Sequence, residues 1–179
     1  MSRPRWLAAL TILVALPSGA FAGDASQDRD ARTGQRWGIS LWGLSYHVDR
    51  SVDYDEGNWG LGFRYSPRPQ WKWLGRNENN RLFTEVDALR NSHGGLVLPV
   101  SAGVEYEIKA LPGNCHLLAV GALTLAYYQN LRTQSDYFKF GPVPGVSFRC
   151  GHVQPNAIAV LSPNGPLLAA IVASVTFRF

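Results

Sequence analysis

From Trp37 to the end of the chain, apolar and polar residues alternate with a period of two, in segments roughly ten residues long broken by turn residues. This pattern predicts strands over 37–48, 58–66, 80–90, 95–108, 115–128, 140–150, 156–162 and 167–179. The last is the clearest. Leu167, Ala169, Ile171, Ala173, Val175, Phe177 and Phe179 share one face, and Ser174, Thr176 and Arg178 fall on the other. The joints carry turn chemistry: "SPRPQ" after the second strand, "LPGN" after the fourth, "GHVQPN" after the sixth and "SPNGP" after the seventh. Beyond Trp37 the longest apolar run, Leu167 to Ala173, falls well short of the ~18 residues that a transmembrane helix needs.

Eight is an even number, as a bacterial barrel with both ends in the periplasm requires. A strand that is apolar on one face and turns to Ser, Thr and Arg on the other suits a wall between lipid and lumen. The expected fold is therefore all-β, an eight-stranded antiparallel transmembrane β-barrel over 37–179. The stretch 67–79, with Trp71 and Trp73, is long for a periplasmic turn and reads as an interfacial aromatic anchor.

The N-terminus sets the compartment. Arg3 and Arg5 precede the apolar run Trp6 to Leu16, and Ala20-Phe21-Ala22 is a small-x-small cleavage pattern, so 1–22 reads as a secretory signal peptide. Residues 23–36, "GDASQDRDARTGQR", have no apolar periodicity and read as a polar periplasmic arm or a short solvated helix. Loss of Arg3 and Arg5 with the signal leaves 15 of the 17 basic residues against 13 acidic ones, a net charge of +2. With no basic block or stripe, this excludes a nucleic-acid partner. The two cysteines, Cys115 and Cys150, begin the fifth strand and end the sixth on the same side of the membrane, so they are expected to bridge in the oxidising envelope.

Candidate chemistry gathers at the outer rim. "SYHVDR" places His47, Asp49 and Arg50 at the outer end of the first strand, with Asp53, Asp55 and Glu56 in the following loop. "RNSHGG", Arg90 to Gly95, is the tight connection at the outer end of the third. A hydroxyl such as Ser92 needs a base, and His47 or His93 can serve if either comes within hydrogen-bond reach, with Asp49 orienting the imidazole. Simple alternation from Trp37, Ile39 and Leu41 aims His47 at lipid, so a bulge near Gly43 must re-aim it if it is catalytic. Pro142 and Pro144 at the start of the sixth strand, and Pro155 before the seventh, remove ladder donors and predict weak pairing there. Gly103, Gly121, Ala122 and Ala126, if they point inward, leave room in the lumen. The four histidines and two cysteines lack metal-site spacing and there is no phosphate loop, so neither metal nor cofactor is expected.

In order along the chain, "SYHVDR", "DYDEGNWGLGFRY", "LRNSHGG", "FGPVPGVSFRCGHVQPNAIAVLSPNG" and "VTFRF" resemble the lipid A palmitoyltransferase (PagP) family. The resemblance implies an eight-stranded outer-membrane barrel with an interior hydrocarbon pocket, monomeric, in the Gram-negative outer membrane. It implies transfer of an acyl chain such as palmitate from a glycerophospholipid donor to lipid A as acceptor. The terminal Phe179 is similar to the C-terminal aromatic through which outer-membrane barrels meet the barrel assembly machinery. Of the family's essential residues, the His falls on His47 and the Ser on Ser92, while the Asp position holds Asn91. An amide cannot take a proton as a carboxylate does. Asn91 then serves as an oxyanion-type donor with Asp49 or His93 covering the missing charge, or activity is lost. The family's pocket-floor glycine falls nearest Gly103. The alternative is a non-catalytic small barrel that binds lipopolysaccharide or serves as a surface contact.

Overall fold

The computed structural model describes residues 36–48, 56–67, 79–92, 94–130, 135–161 and 168–179. The signal segment, residues 23–35 of the polar arm, Asp49, Arg50, Asp53, Asp55, Trp71, Trp73 and His93 lie outside these residues.

Eight strands, β1 (Trp37–His47), β2 (Gly60–Tyr65), β3 (Arg81–Arg90), β4 (Leu96–Leu111), β5 (Cys115–Asn130), β6 (Ser135–Cys150), β7 (Val153–Leu161) and β8 (Leu168–Arg178), close in sequence order into one barrel. Every neighbouring pair is antiparallel, and β1 completes the wall against β8. The strand ends meet where Trp37 and Phe179 exchange two backbone hydrogen bonds, of 3.1 and 2.9 Å. Closure leaves no edge to be covered, which is what lets a sheet cross hydrocarbon.

The alternation read from the sequence sorts the wall inside out. Ile39, Leu41, Leu61, Phe63, Val100, Leu123, Leu125, Phe138, Phe140, Ile171 and Phe177 are exposed on the exterior. Ser40, Arg64, Glu85, Glu105, Gln154, Asn156, Thr176 and Arg178 are buried inside. Water-soluble folds bury the first set and expose the second, whereas a lipid-facing barrel wall does the reverse. The molecule is a membrane-spanning barrel of the outer-membrane type, and its place is the Gram-negative outer membrane.

The lumen has two different halves. Near Trp37 and Phe179 it is filled by a polar network centred on Glu105, which is fully buried. The Glu105 carboxylate accepts from Arg64 at 2.5 Å, Gln154 at 2.7 Å and Arg178 at 3.3 Å, and faces Arg149 at 3.6 Å. Glu85 takes two further bonds from Arg64, at 3.0 and 2.6 Å, and one from Ser40. Asn156 donates to Ser174 and Thr176 and accepts from Ser147. Above the level of Phe83 apolar residues join the lumen lining, with Leu89, Val97, Val120, Ala126, Val143, Ile158 and Val172 beside the polar Asp87, Ser101 and Thr124.

Cys115 and Cys150 are direct cross-strand partners and form a disulfide at the periplasmic end. With a sequence separation of 35 it contributes roughly 3–4 kcal/mol in the chain-entropy account.

Two expectations shift. The sixth strand begins at Ser135 and the seventh at Val153, so Pro142, Pro144 and Pro155 lie within strands. The turn signals before them are overridden because β5 pairs with β6 continuously from Cys115 to Asn130, through both prolines. The weakness appears on the other side. β6 pairs with β7 only at Gly145, Val146, Ser147 and Cys150, so among the described residues 135–144 have no β7 partner. Pro142 and Pro144, two apart, aim their missing N–H groups the same way, and the intact β5 ladder leaves β7 as that side.

Candidate functional site at the outer mouth

Whether His47 faces the lumen depends on one residue. The β1–β8 register runs from Trp42 opposite Ser174 to Leu44 opposite Ala173, leaving Gly43 as a β-bulge. Before it Ser40 is buried, and Ile39 and Leu41 face lipid. After it Ser45 is buried while Leu44, Tyr46 and Val48 face outward. The extra residue inverts the alternation and brings His47 inside.

There the His47 Nε2 lies 2.8 Å from the Ser92 hydroxyl, within hydrogen-bond reach. Ser92 sits just past the end of β3 in the connection to β4, and is buried. The structure thus brings together two residues 45 positions apart that the sequence marked as base and hydroxyl.

Asn91 has a different occupation. Its amide nitrogen donates to the Gln129 carbonyl at 2.7 Å and the Leu96 carbonyl at 3.4 Å, and its side-chain oxygen accepts from the Gly95 N–H at 3.0 Å. Backbone bonds from Asn91 N to Gly95 O and from Gly94 N to Asn91 O close the same turn. An oxyanion-type donor needs amide hydrogens aimed at the substrate. Asn91 commits its hydrogens to carbonyls that tie the β3–β4 turn to β5, a task that a carboxylate, with no N–H, cannot perform.

The residue that sequence reasoning missed is Asn58. It lies in the four residues before β2, and the period of two that carries Gly60, Gly62 and Arg64 inward carries Asn58 inward as well. That parity was the available signal. Its segment is laced to both neighbours, through Ser45 N to Glu56 O at 2.9 Å and Arg90 N to Trp59 O at 3.0 Å. The Asn58 amide nitrogen donates to Ser45 Oγ at 2.7 Å and to Ser92 Oγ at 3.4 Å. Ser45 Oγ is in turn 3.5 Å from His47 Nε2.

Below this cluster opens a cavity of about 360 Å³, within the range of ligand sites. Its middle is the apolar belt described above. Its deep end is polar: Trp42 donates its indole N–H to Asp87 at 2.8 Å, and Arg64 lies 4.3 Å over the Phe83 ring. Gly62 matters here, because a Cβ on it would meet the Asp87 carboxylate at 1.8 Å. Gly103 faces the lumen, with the Phe83 ring tip 2.8 Å from where its Cβ would stand. Phe83 covers Gly103 and is the surface that the cavity meets at that level.

At the mouth, opposite the imidazole, Tyr128 and Tyr137 are cross-strand partners stacked at 5.3 Å. The Lys139 ammonium lies 5.3 Å over the Tyr128 ring and 5.5 Å over the Tyr137 ring, and all three line the cavity. Lys139 belongs to the stretch of β6 without a β7 partner.

These features define the class: a small outer-membrane barrel with a plugged lower lumen and an open, largely apolar upper one. No protein-family model matches the chain, and no curated protein is significantly similar to it. Among solved structures it is similar to the neisserial surface protein A, NspA, at 15% identity over 80% of this chain and 95% of that one, with a TM-score of 0.40. It is similar also to Ail, the attachment invasion locus protein of Yersinia pestis, at 13% identity over 81% and 99%, with a TM-score of 0.43.

Proposed function

We propose that the barrel is an acyltransferase that moves a fatty acyl chain, such as palmitate, from a glycerophospholipid to lipid A. The observation that carries the reading is the imidazole-to-hydroxyl pair of His47 and Ser92 at the mouth of an apolar cavity inside a membrane wall. The cavity takes the acyl chain and leaves its ester at the rim. His47 Nε2 accepts the proton of the attacking hydroxyl as oxygen bonds to the ester carbonyl carbon, then returns it to the departing glyceryl oxygen. One ester is exchanged for another, so no co-reactant is needed. The stretch of β6 that has no β7 partner among the described residues supplies a lateral way in from the outer leaflet, and Lys139 offers a cation to the donor's phosphate.

The test is transfer by the purified barrel, refolded in detergent, from phosphatidylcholine with a labelled acyl chain to lipid A. Labelled lipid A is expected from the wild type and not from the folded His47→Ala or Ser92→Ala variant. A loss of at least about 10²-fold in rate is the size of effect a positioned acid–base group contributes. Absence of transfer by folded wild type contradicts the proposal.

A second reading, a non-catalytic barrel that binds lipopolysaccharide or acts as a surface contact, is favoured by Asn91. The position where the resembling family carries an acid holds an amide committed to the turn.

A further inference from the structure

We infer that Asn58 is the positioning residue of the His47–Ser92 pair, directing the hydroxyl proton onto His47 Nε2 and so holding the imidazole in its base-competent form, with the ring proton on Nδ1. The inference deepens the acyl-transfer reading and takes its catalytic consequence from it.

An amide nitrogen has two hydrogens and no lone pair to accept with, so Asn58 Nδ2 is the donor in both of its contacts, to Ser45 Oγ at 2.7 Å and to Ser92 Oγ at 3.4 Å. A hydroxyl has a single proton. With Asn58 donating to the Ser92 oxygen, the Ser92 proton is left for its other neighbour, the His47 Nε2 at 2.8 Å. With the hydroxyl proton turned to it, that nitrogen presents its lone pair, while the second lone pair of the Ser92 oxygen faces the cavity. The Ser45 oxygen, which also accepts from Asn58, sits 3.5 Å from the same nitrogen and can turn its own proton the same way. One side chain thus sets the polarity of two hydroxyls around one nitrogen.

Placement supports the role. Asn58 is 9% exposed, and its backbone segment is pinned on one side to β1 at Ser45 and on the other to β3 at Arg90, the strands that carry His47 and lead to Ser92. The amide therefore bridges the two strands whose side chains have to meet. The arrangement also accounts for what Asn91 does not do. In a pair supported by a carboxylate, the acid fixes the tautomer from the Nδ1 side of the ring. In this barrel Asn58 supports the same tautomer from the hydroxyl side, as a neutral donor.

The reverse arrangement would have the Asn58 oxygen accept from both serines and the His47 Nε2–H donate to Ser92. The two arrangements differ in an observable. In protein labelled with ¹⁵N-histidine and folded in detergent micelles, with the His47 signals assigned by loss in His47→Ala, Nε2 is expected at an unprotonated nitrogen shift and Nδ1 at a protonated one. The isosteric Asn58→Asp exchanges donor for acceptor, so the serine protons turn toward the carboxylate and Nε2 becomes protonated. In the same variant kcat for acyl transfer is expected to fall about 10- to 10²-fold at unchanged KM. A protonated Nε2 in the folded, neutral-imidazole wild type overturns the inference, whatever the variants do. So does an unprotonated Nε2 that persists in folded Asn58→Asp. Because the tautomer is read without turnover, a barrel that shows the Nδ1–H form but transfers nothing leaves Asn58 in place and removes the acyltransferase reading alone.

Discussion

The two halves of the lumen are built on the same alternation and do opposite things with it. In the lower half most inward positions are polar or charged and linked to one another, with three arginines around Glu105 and Leu118 buried among them. In the upper half an apolar belt lies between a polar deep end and a polar rim, and a cavity of about 360 Å³ remains. Period two decides only that a residue faces inward. What it meets there depends on level, and the change occurs near Phe83, where Arg64 lies over the ring and Gly103 at its tip. The lower half is a plug that fixes the barrel's shape, and the upper half is the space that a ligand can occupy.

The largest effect is expected where that plug is cut. Glu105→Ala leaves Arg64, Arg149 and Arg178 buried together without their shared carboxylate, a loss of about 3–5 kcal/mol. Denaturant unfolding in detergent micelles reads it as a strongly lowered midpoint, and a midpoint within error of wild type would mean that the lower network carries no stability.

Asn91→Asp sharpens the comparison at the rim. It restores the acid of the resembling family but removes the donations to Gln129 and Leu96, at a cost of about 1–3 kcal/mol. Transfer activity is expected not to rise. A gain in rate would return position 91 to the catalytic group.

The smallest expected change in stability lies in the upper half. Ala126→Leu projects into the open space, so its unfolding midpoint should shift by less than about 1 kcal/mol, while the acyl chain accepted becomes shorter. Mass spectra of the transferred chain check this, and an unchanged chain length would place the ligand elsewhere.

Much of this was legible beforehand. Eight strands, the lipid-facing side of β8 and the meeting of Cys115 with Cys150 follow from alternation and topology alone. The need for a bulge at Gly43 followed too, because His47 falls on the wrong parity without it. Strand ends were less legible, since Ser135 and Val153 begin strands that the proline and glycine signals would have started later. Those signals describe local preference, and in β6 the continuous ladder with β5 outweighs it. The inward parity of Asn58 was legible, but its role appears only when β1 and β3 are side by side. The duty of Asn91 was hidden for a like reason: its partners, Gly95, Leu96 and Gln129, are joined by the turn's three-dimensional course.

The most direct measurement is the mass spectrum of lipid A from cells carrying the wild-type gene, the His47→Ala or Ser92→Ala form, or no copy. The account predicts an added acyl chain in the first and its absence from the others, with all the encoded barrels folded in the outer membrane. Identical lipid A in every strain, with the wild-type barrel present and folded, would contradict it.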